Sequence, residues 1–358
     1  SKLKILPISM IIIGSTISSP LLSNFMQTFG RRSGFILGSF GGAIGASISS
    51  FALYTNSFYL LLFGSMITGV YMASYGLYRF AATDLATSTF KPKAISFVMA
   101  AGLISAIVGP QLVKITWNLT IIPFFGSYLT IIILNLIGPF IFYFLITPKK
   151  KKDYAQDLSP GRSRLQLFQS VPIRTAIICG LIAYALMNLM MTAAPLAIIG
   201  CGFTENNAAD VVMAHVLAMT VPSFFTGHLI VRFGIKPVIL GGLIFLFFAA
   251  VVGLGKSELT YFYGALILLG IGWNFSFIGA TSLLANNHTS NERGKAQGLN
   301  DMCVFGSVAL ASLASGSLIN CSAGTIQEGW QFISLSMFPL LAIAIGILLF
   351  FKWQTAIE

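Results

Sequence analysis

Apolar residues run along this chain in blocks that are too long for strands and too continuous for the one-sided helices of a water-soluble fold. Eleven blocks reach the roughly 20 mostly apolar residues that a helix needs to cross a bilayer. They cover 5–29, 33–55, 58–80, 94–117, 121–147, 173–199, 207–232, 235–255, 259–285, 296–318 and 331–352. None alternates with the period of two that a membrane barrel strand requires. The pattern predicts an all-α polytopic membrane protein. Residues 148–172, which open Pro148-Lys149-Lys150-Lys151-Lys152, form the one long polar segment and divide five helices from six.

The two groups of helices repeat one another. Phe29-Gly30-Arg31-Arg32 recurs as Phe233-Gly234-Ile235-Lys236 after 204 residues, and a glycine follows eight residues after each turn glycine, at Gly38 and Gly242. Lys93-Ala94 matches Lys295-Ala296 at an offset of 202, and Pro139 matches Pro339 at 200. Three landmarks in the same order at nearly constant spacing indicate two homologous halves. The expected organisation is a first bundle over 1–147, a linker over 148–172 and a second bundle over 173–358. The block 173–199 opens the second half, and its counterpart 204 residues earlier falls before residue 1. Eleven of twelve helices are therefore expected here, the first helix of the first half being missing from this chain.

Composition agrees with the pattern. The chain is 56% hydrophobic and 9% charged, against about 25% charged in a soluble domain. The net charge of +11 could suit a nucleic-acid partner, but its distribution has another reading. When alternate loops are assigned to one side, starting with the Gly30 turn, that side collects 17 of the 21 Lys and Arg residues, and only Lys2, Lys4, Lys114 and Lys256 fall opposite. Basic loops mark the cytoplasmic face, so the linker and the carboxyl terminus are expected there, and no nucleic acid is needed. The four cysteines show no CxxC and no metal-ligand spacing, so no metal or cofactor is expected. The sequence holds no Gly-x4-Gly-Lys-Ser/Thr loop for ATP, no His-Glu-x-x-His and no Gly-x-Ser-x-Gly, and it is read as a non-enzyme.

Two six-helix halves, a central basic loop and Gly-x-basic turns after the second helix of each half resemble the major facilitator superfamily. Its turn signature is Gly-x-x-x-Asp-basic-x-Gly-Arg-basic. Gly30, Arg31 and Arg32 match it, while Ser23, Gln27 and Thr28 stand at its Gly, Asp and basic positions. In the second half Gly227, Arg232, Gly234 and Lys236 match, and Val231 replaces the Asp. The runs from His215 to Gly227 and from Gln297 to Asp301 are similar to a poorly characterised bacterial branch of the superfamily. The family's fourth-helix Arg is absent from Gly64–Gly69, and its antiporter glycines do not follow Gly109-Pro110.

The resemblance implies a secondary transporter of a small organic solute in a bacterial inner membrane, working by alternating access, with the proton as candidate coupling ion. A non-transporting sensor or scaffold, or a decayed transporter, stays open at this point. The resemblance pairs Arg31 with Asp84 at the membrane edge, partly solvated, as an inner gate, with Arg32, Arg79 and Arg232 as neighbouring gating candidates. Arg79 has a second reading, as a snorkelling boundary marker. Buried ionisable groups are costly and so are functional candidates. Asp301, early in block 296–318, is read either as an ion-pair partner of an Arg or as a coupling site, and His215 as a packing histidine or a proton site. The fold implies a cavity lined by the first and fourth helices of each half. Tyr75, Tyr78, Asn188, Met191, Trp273 and Asn274 lie on those segments, with Tyr71, Tyr184, Thr192, Met187 and Met190 near them. Aromatics, amides and few charges suit a neutral or amphipathic solute. The partners expected are that solute, membrane lipid and protons.

Overall fold

In a computed structural model the protein is helical throughout the residues that the structure describes, 6–145, 161–256, 258–321 and 325–350. The helices are α1 (Leu6–Phe29), α2 (Arg31–Tyr54), α3 (Phe58–Gly76), α4 (Tyr78–Ala81), α5 (Lys91–Ala100), α6 (Gly102–Thr116), α7 (Phe125–Ile137), α8 (Arg164–Gln169), α9 (Val171–Gly200), α10 (Glu205–Thr220), α11 (Ser223–Phe233), α12 (Ile235–Gly253), α13 (Leu259–Asn286), α14 (Arg293–Cys321) and α15 (Ile326–Phe350). Among the described residues eleven helical segments are long and apolar enough to cross a membrane. Most of the linker, 148–160, and the terminal residues 351–358 lie outside the described residues.

Local chemistry explains where the spans break. The span Glu205–Phe233 is interrupted at Val221–Pro222, where proline supplies no N–H for the helix ladder. After α7 the chain tightens into a 3₁₀ turn over Gly138–Phe144, with Pro139 in its first turn. The two basic turns that carry the repeat share one backbone geometry. Gly30 has φ 89° and ψ 162°, and Gly234 has φ 91° and ψ 164°. Each glycine N–H reaches back to a carbonyl four residues earlier, Met26 O and Ile230 O, both at 2.9 Å. A side chain is strained at this φ, so glycine is required for the one-residue link between adjacent spans.

The chain forms two compact units. The first holds residues 1–90, 101–164 and 288–309, and the second holds 91–100, 165–287 and 310–358. Each unit therefore includes a short piece from the other sequence half: the start of α14 in the first unit and α5 in the second.

In the first unit α3 packs on α1 and α2. Backbones approach closely where α2 and α3 cross, since a Cβ on Gly45 would meet Gly64 O at 2.7 Å and one on Gly64 would meet Gly45 O at 2.9 Å. The second unit repeats the device between α12 and α13, where a Cβ on Gly242 would meet Gly272 O at 2.7 Å. In that unit α5 packs on α11, and Ser96 Oγ donates to Ser223 O while accepting from the Gly227 N–H. The helix α13 is the most enclosed span, 78% buried over its most apolar window, whereas α7 with its 3₁₀ turn is 11% buried and presents its side chains outward.

Candidate functional site

The first unit brings Arg31, Arg79, Asp84, Arg293 and Asp301 into two adjoining ion pairs. Arg31, the first residue of α2, is aimed by the Gly30 turn. Its Nε donates to Asp84 Oδ2 at 2.9 Å and its Nη2 to Asp84 Oδ1 at 3.3 Å. Nη2 also donates to Gln297 Oε1 at 2.8 Å, and Arg293 Nη1 pairs with Asp84 Oδ1 at 3.0 Å. The Arg31 and Asp84 side chains are only 4% and 5% exposed, so the pair is buried and not partly solvated as expected. Helix α14, which brings Arg293 and Gln297 over it, removes the water.

Arg293, Gln297 and Asp301 are spaced four residues apart and so share one face of α14. One turn beyond Gln297, Asp301 is fully buried and accepts from Arg79 Nη2 through Oδ1, which also accepts from Asn300 Nδ2 at 2.9 Å. Arg79 Nη1 donates to Gly76 O at 2.6 Å. Arg79 is 4% exposed and does not snorkel. Asp301 Oδ2 is buried without a hydrogen-bond partner among the described residues, and it lies 3.2 Å from where a Cβ on Gly76 would be. Three guanidinium groups thus face two carboxylates. Arg293 and Gln297 were missing from the sequence-derived site, because only the folded α14 carries them to Asp84.

Two predicted gating residues stand away from this cluster. Arg32 donates to Tyr143 O at 2.7 Å and Leu145 O at 3.2 Å, closing the end of the 3₁₀ turn. In the second unit Arg232 is exposed, with its guanidinium over the Phe233 ring.

A second constellation lies within the second unit. Tyr184 meets Trp273 and Phe277 edge-on, with ring centroids 5.3 and 5.1 Å apart, and Trp273 stacks on Phe277 at 5.2 Å with 13° between planes. Trp273 Nε1 is buried and has no hydrogen-bond partner among the described residues. Tyr184, Met191 and Thr192 are half-buried and Asn188 is at the edge of burial, while Met187 and Met190 are enclosed. Positions 184, 188, 191 and 192 fall on one face of α9, which is the face that carries the aromatic cluster.

Asn274 is consumed by structure. Its Oδ1 accepts from Thr226 Oγ1, and its Nδ2 donates to Met219 O and Ser223 Oγ, each at 2.6 Å. It ties α13 to α10 and α11, a packing role beside its expected place in the cavity. His215 is fully buried with Nδ1 2.7 Å from Leu266 O, so Nδ1 carries the proton, and Nε2 has no partner among the described residues. In the first unit Tyr78 packs edge-on against Phe35 at 4.7 Å and beside Phe142, while Tyr75 is exposed and contacts Tyr78 at 5.8 Å.

The first unit holds a further ion pair that the sequence did not suggest, because its partners are 130 residues apart. Glu292 Oε1 accepts from the Arg162 backbone N–H at 3.0 Å and from its Nε at 2.7 Å, and Oε2 accepts from Arg162 Nη2 at 2.8 Å. The guanidinium holds the Glu292 carboxyl well below the usual carboxylate range, and the carboxylate raises Arg162.

The Major Facilitator Superfamily profile matches residues 5–211 and again 176–357. A riboflavin transporter of Brucella anthropi, RfnT, is 42% identical over 343 residues, covering 95% of this chain and 84% of that protein. An uncharacterised transporter of Bacillus subtilis, YddS, is 28% identical over 98% of this chain and 83% of its own length. Among solved structures, the transporter FucP in its outward conformation superposes with a TM-score of 0.72 at 15% identity, covering 96% of this chain and 89% of that one. The repeated turns, the eleven spans and these matches make the chain a member of the major facilitator superfamily, a transporter and not an enzyme.

Proposed function

We propose that this chain is a secondary transporter of a planar, largely uncharged aromatic solute, with riboflavin as first candidate, because that is the solute named for the Brucella anthropi relative. The observation that carries the reading is the Tyr184–Trp273–Phe277 cluster with its unpartnered indole N–H. A fused aromatic ring system bearing carbonyl oxygens offers both complements: a flat face for the rings and an acceptor for Trp273 Nε1. Asn188, Met191 and Thr192 supply polar and polarisable contacts beside it. Tyr75 and Tyr78 are proposed as solute contacts within the first unit.

Transport proceeds by alternating access. The Arg31–Asp84–Arg293 cluster acts as a gate, because its ion pairs hold α2, the turn after α4 and α14 together in one arrangement. Asp301, held by Arg79, is proposed as the site where a proton would release that contact, and His215 as a packing histidine. The basic end of the chain, with the linker and the carboxyl terminus, faces the cytoplasm of a bacterial inner membrane; the 17 basic residues on that side support this.

The test is uptake and counterflow of radiolabelled riboflavin in proteoliposomes, with and without a proton gradient, against flavin nucleotides, sugars and organic anions. Saturable riboflavin flux that falls in Trp273→Ala and recovers only in part in Trp273→Phe, which restores the ring but not the N–H, is the expected result. Flux of a sugar or an anion without riboflavin flux would overturn the aromatic-solute reading.

A further inference from the structure

A cavity of about 580 Å³ opens in the first unit. Three segments distant in sequence wall it: Asn24, Gln27 and Thr28 in the last turns of α1, Ser163 and Arg164 at the end of the linker, and Asn291 and Lys295 at the start of α14. The walls are tied to one another. Gln27 Nε2 donates to Ser290 O at 2.9 Å, and the Gly294 N–H donates to Gln27 Oε1 at 3.1 Å. The linker end is clasped through Arg162, whose N–H and guanidinium both meet Glu292, while Lys295 Nζ donates to Arg162 O at 3.4 Å. A cavity with walls fixed in this way is preorganised.

Its chemistry is one-sided. Two cations, Arg164 and Lys295, line it with amides and hydroxyls, and among the described residues no carboxylate does. The nearby carboxylate of Glu292 is already engaged by Arg162. A compact anion with several acceptor oxygens is the complement of these two cations, because the Arg fork and the Lys point charge both favour phosphate. The volume exceeds that of an inorganic ion and has room for a small organic part.

We propose that this cavity binds an anionic phosphate ester, carried either by a soluble metabolite or by the headgroup of an anionic phospholipid, and that the bound phosphate slows transport. The phosphate would bridge the linker end, α1 and α14, which are the elements that must separate if the ion-pair cluster is a gate, so occupancy favours the arrangement in which they touch. Binding is independent of the transport reading; only the slowing of transport rests on it.

Glycerol 3-phosphate is the probe for the soluble source, titrated by calorimetry against the full chain in phosphatidylcholine nanodiscs, with glycerol as control. Nanodiscs with phosphatidylglycerol, read by native mass spectrometry of retained lipid, probe the headgroup source. Saturable binding of either probe is expected, weakened at least tenfold in the double variant R164Q/K295Q. Asn24→Asp guards against a folding artefact, because Asn24 is exposed and untouched by the Arg162–Glu292 clasp; it should abolish binding while leaving the melting temperature unchanged. Binding of glycerol 3-phosphate assigns the soluble source, and retention of phosphatidylglycerol alone assigns the headgroup. Binding equal in the parent and all variants, or of neither probe, overturns the site. If binding holds but riboflavin flux is unaffected by the bound probe, the regulatory half falls while the site stands.

Discussion

Neutralising Asp84 is the sharpest perturbation of the gate. Asp84 receives Arg31 through two hydrogen bonds and Arg293 through one, and its side chain is 5% exposed. Asp84→Asn keeps the shape and one acceptor oxygen but removes the charge, leaving two guanidinium groups near each other with no counter-charge between them. An exposed pair would be worth at most about 1 kcal/mol, whereas breaking a buried pair by removing one partner costs about 3–5 kcal/mol. The retained amide oxygen argues for the lower end, about 3 kcal/mol, or roughly a 150-fold change in an equilibrium constant. That cost falls on the arrangement in which α14 covers α1, so the population should move away from it.

Ser23 reports the move. It is 1% exposed, and a Cβ on Gly298 would come 3.1 Å from its own Cβ, so α14 covers it. In a chain cleared of native cysteines, Ser23→Cys should react slowly with a maleimide. Adding Asp84→Asn should raise its labelling rate by about two orders of magnitude, in line with the shift above, while solute transport falls. Thermal unfolding followed in parallel separates gate opening from loss of fold. Unchanged labelling and unchanged transport in Asp84→Asn would refute the gate, and a collapse in melting temperature with no change in labelling would make the cluster purely structural.

Four further outcomes follow from the same geometry. Asp301→Asn should abolish proton-driven accumulation while downhill exchange persists; equal loss of both, together with lowered thermal stability, would mark Asp301 as only the buried partner of Arg79. Trp273→Ala should weaken riboflavin affinity by roughly 2- to 10-fold, the span of an aromatic contact worth about 0.5–1.5 kcal/mol, whereas Asn274→Ala should lower the melting temperature because three hydrogen bonds are lost. The Glu292 carboxyl is held below its ordinary range, so its contribution to stability is present above the unfolded-state value and is lost as pH falls through the lower folded value; melting temperature should therefore fall on acidification from pH 7 to below pH 4, and Glu292→Gln, which carries no titrating group there, should show a smaller fall over the same range. A cysteine placed at Ser159 should stay unlabelled by an impermeant reagent in intact cells, and labelling there would reverse the topology.

By itself the sequence determined the number of spans, the two-fold repeat and the basic face, because a bilayer imposes one length and one polarity rule on every crossing segment. It also specified the turn: Gly30 and Gly234 were visible as matched glycines, and both take the same left-handed backbone. It pointed to Arg31, Asp84, Arg79 and Asp301 as charges with few neighbours of their kind in an apolar chain. The tertiary structure alone decided their partners. Arg79 and Asp301 are 222 residues apart, and nothing local marks them as a pair. Burial of the Arg31–Asp84 pair depends on where α14 lies, and the Arg162–Glu292 clasp depends on where the linker returns. Asn274 and Asn188 look alike in sequence, since each is an amide in an apolar helix. Only packing shows that Asn274 is spent on three neighbours, whereas Asn188 shares the half-open face of α9. Charge and periodicity are written into single segments, but hydrogen-bond satisfaction belongs to pairs of segments and is settled only when they meet.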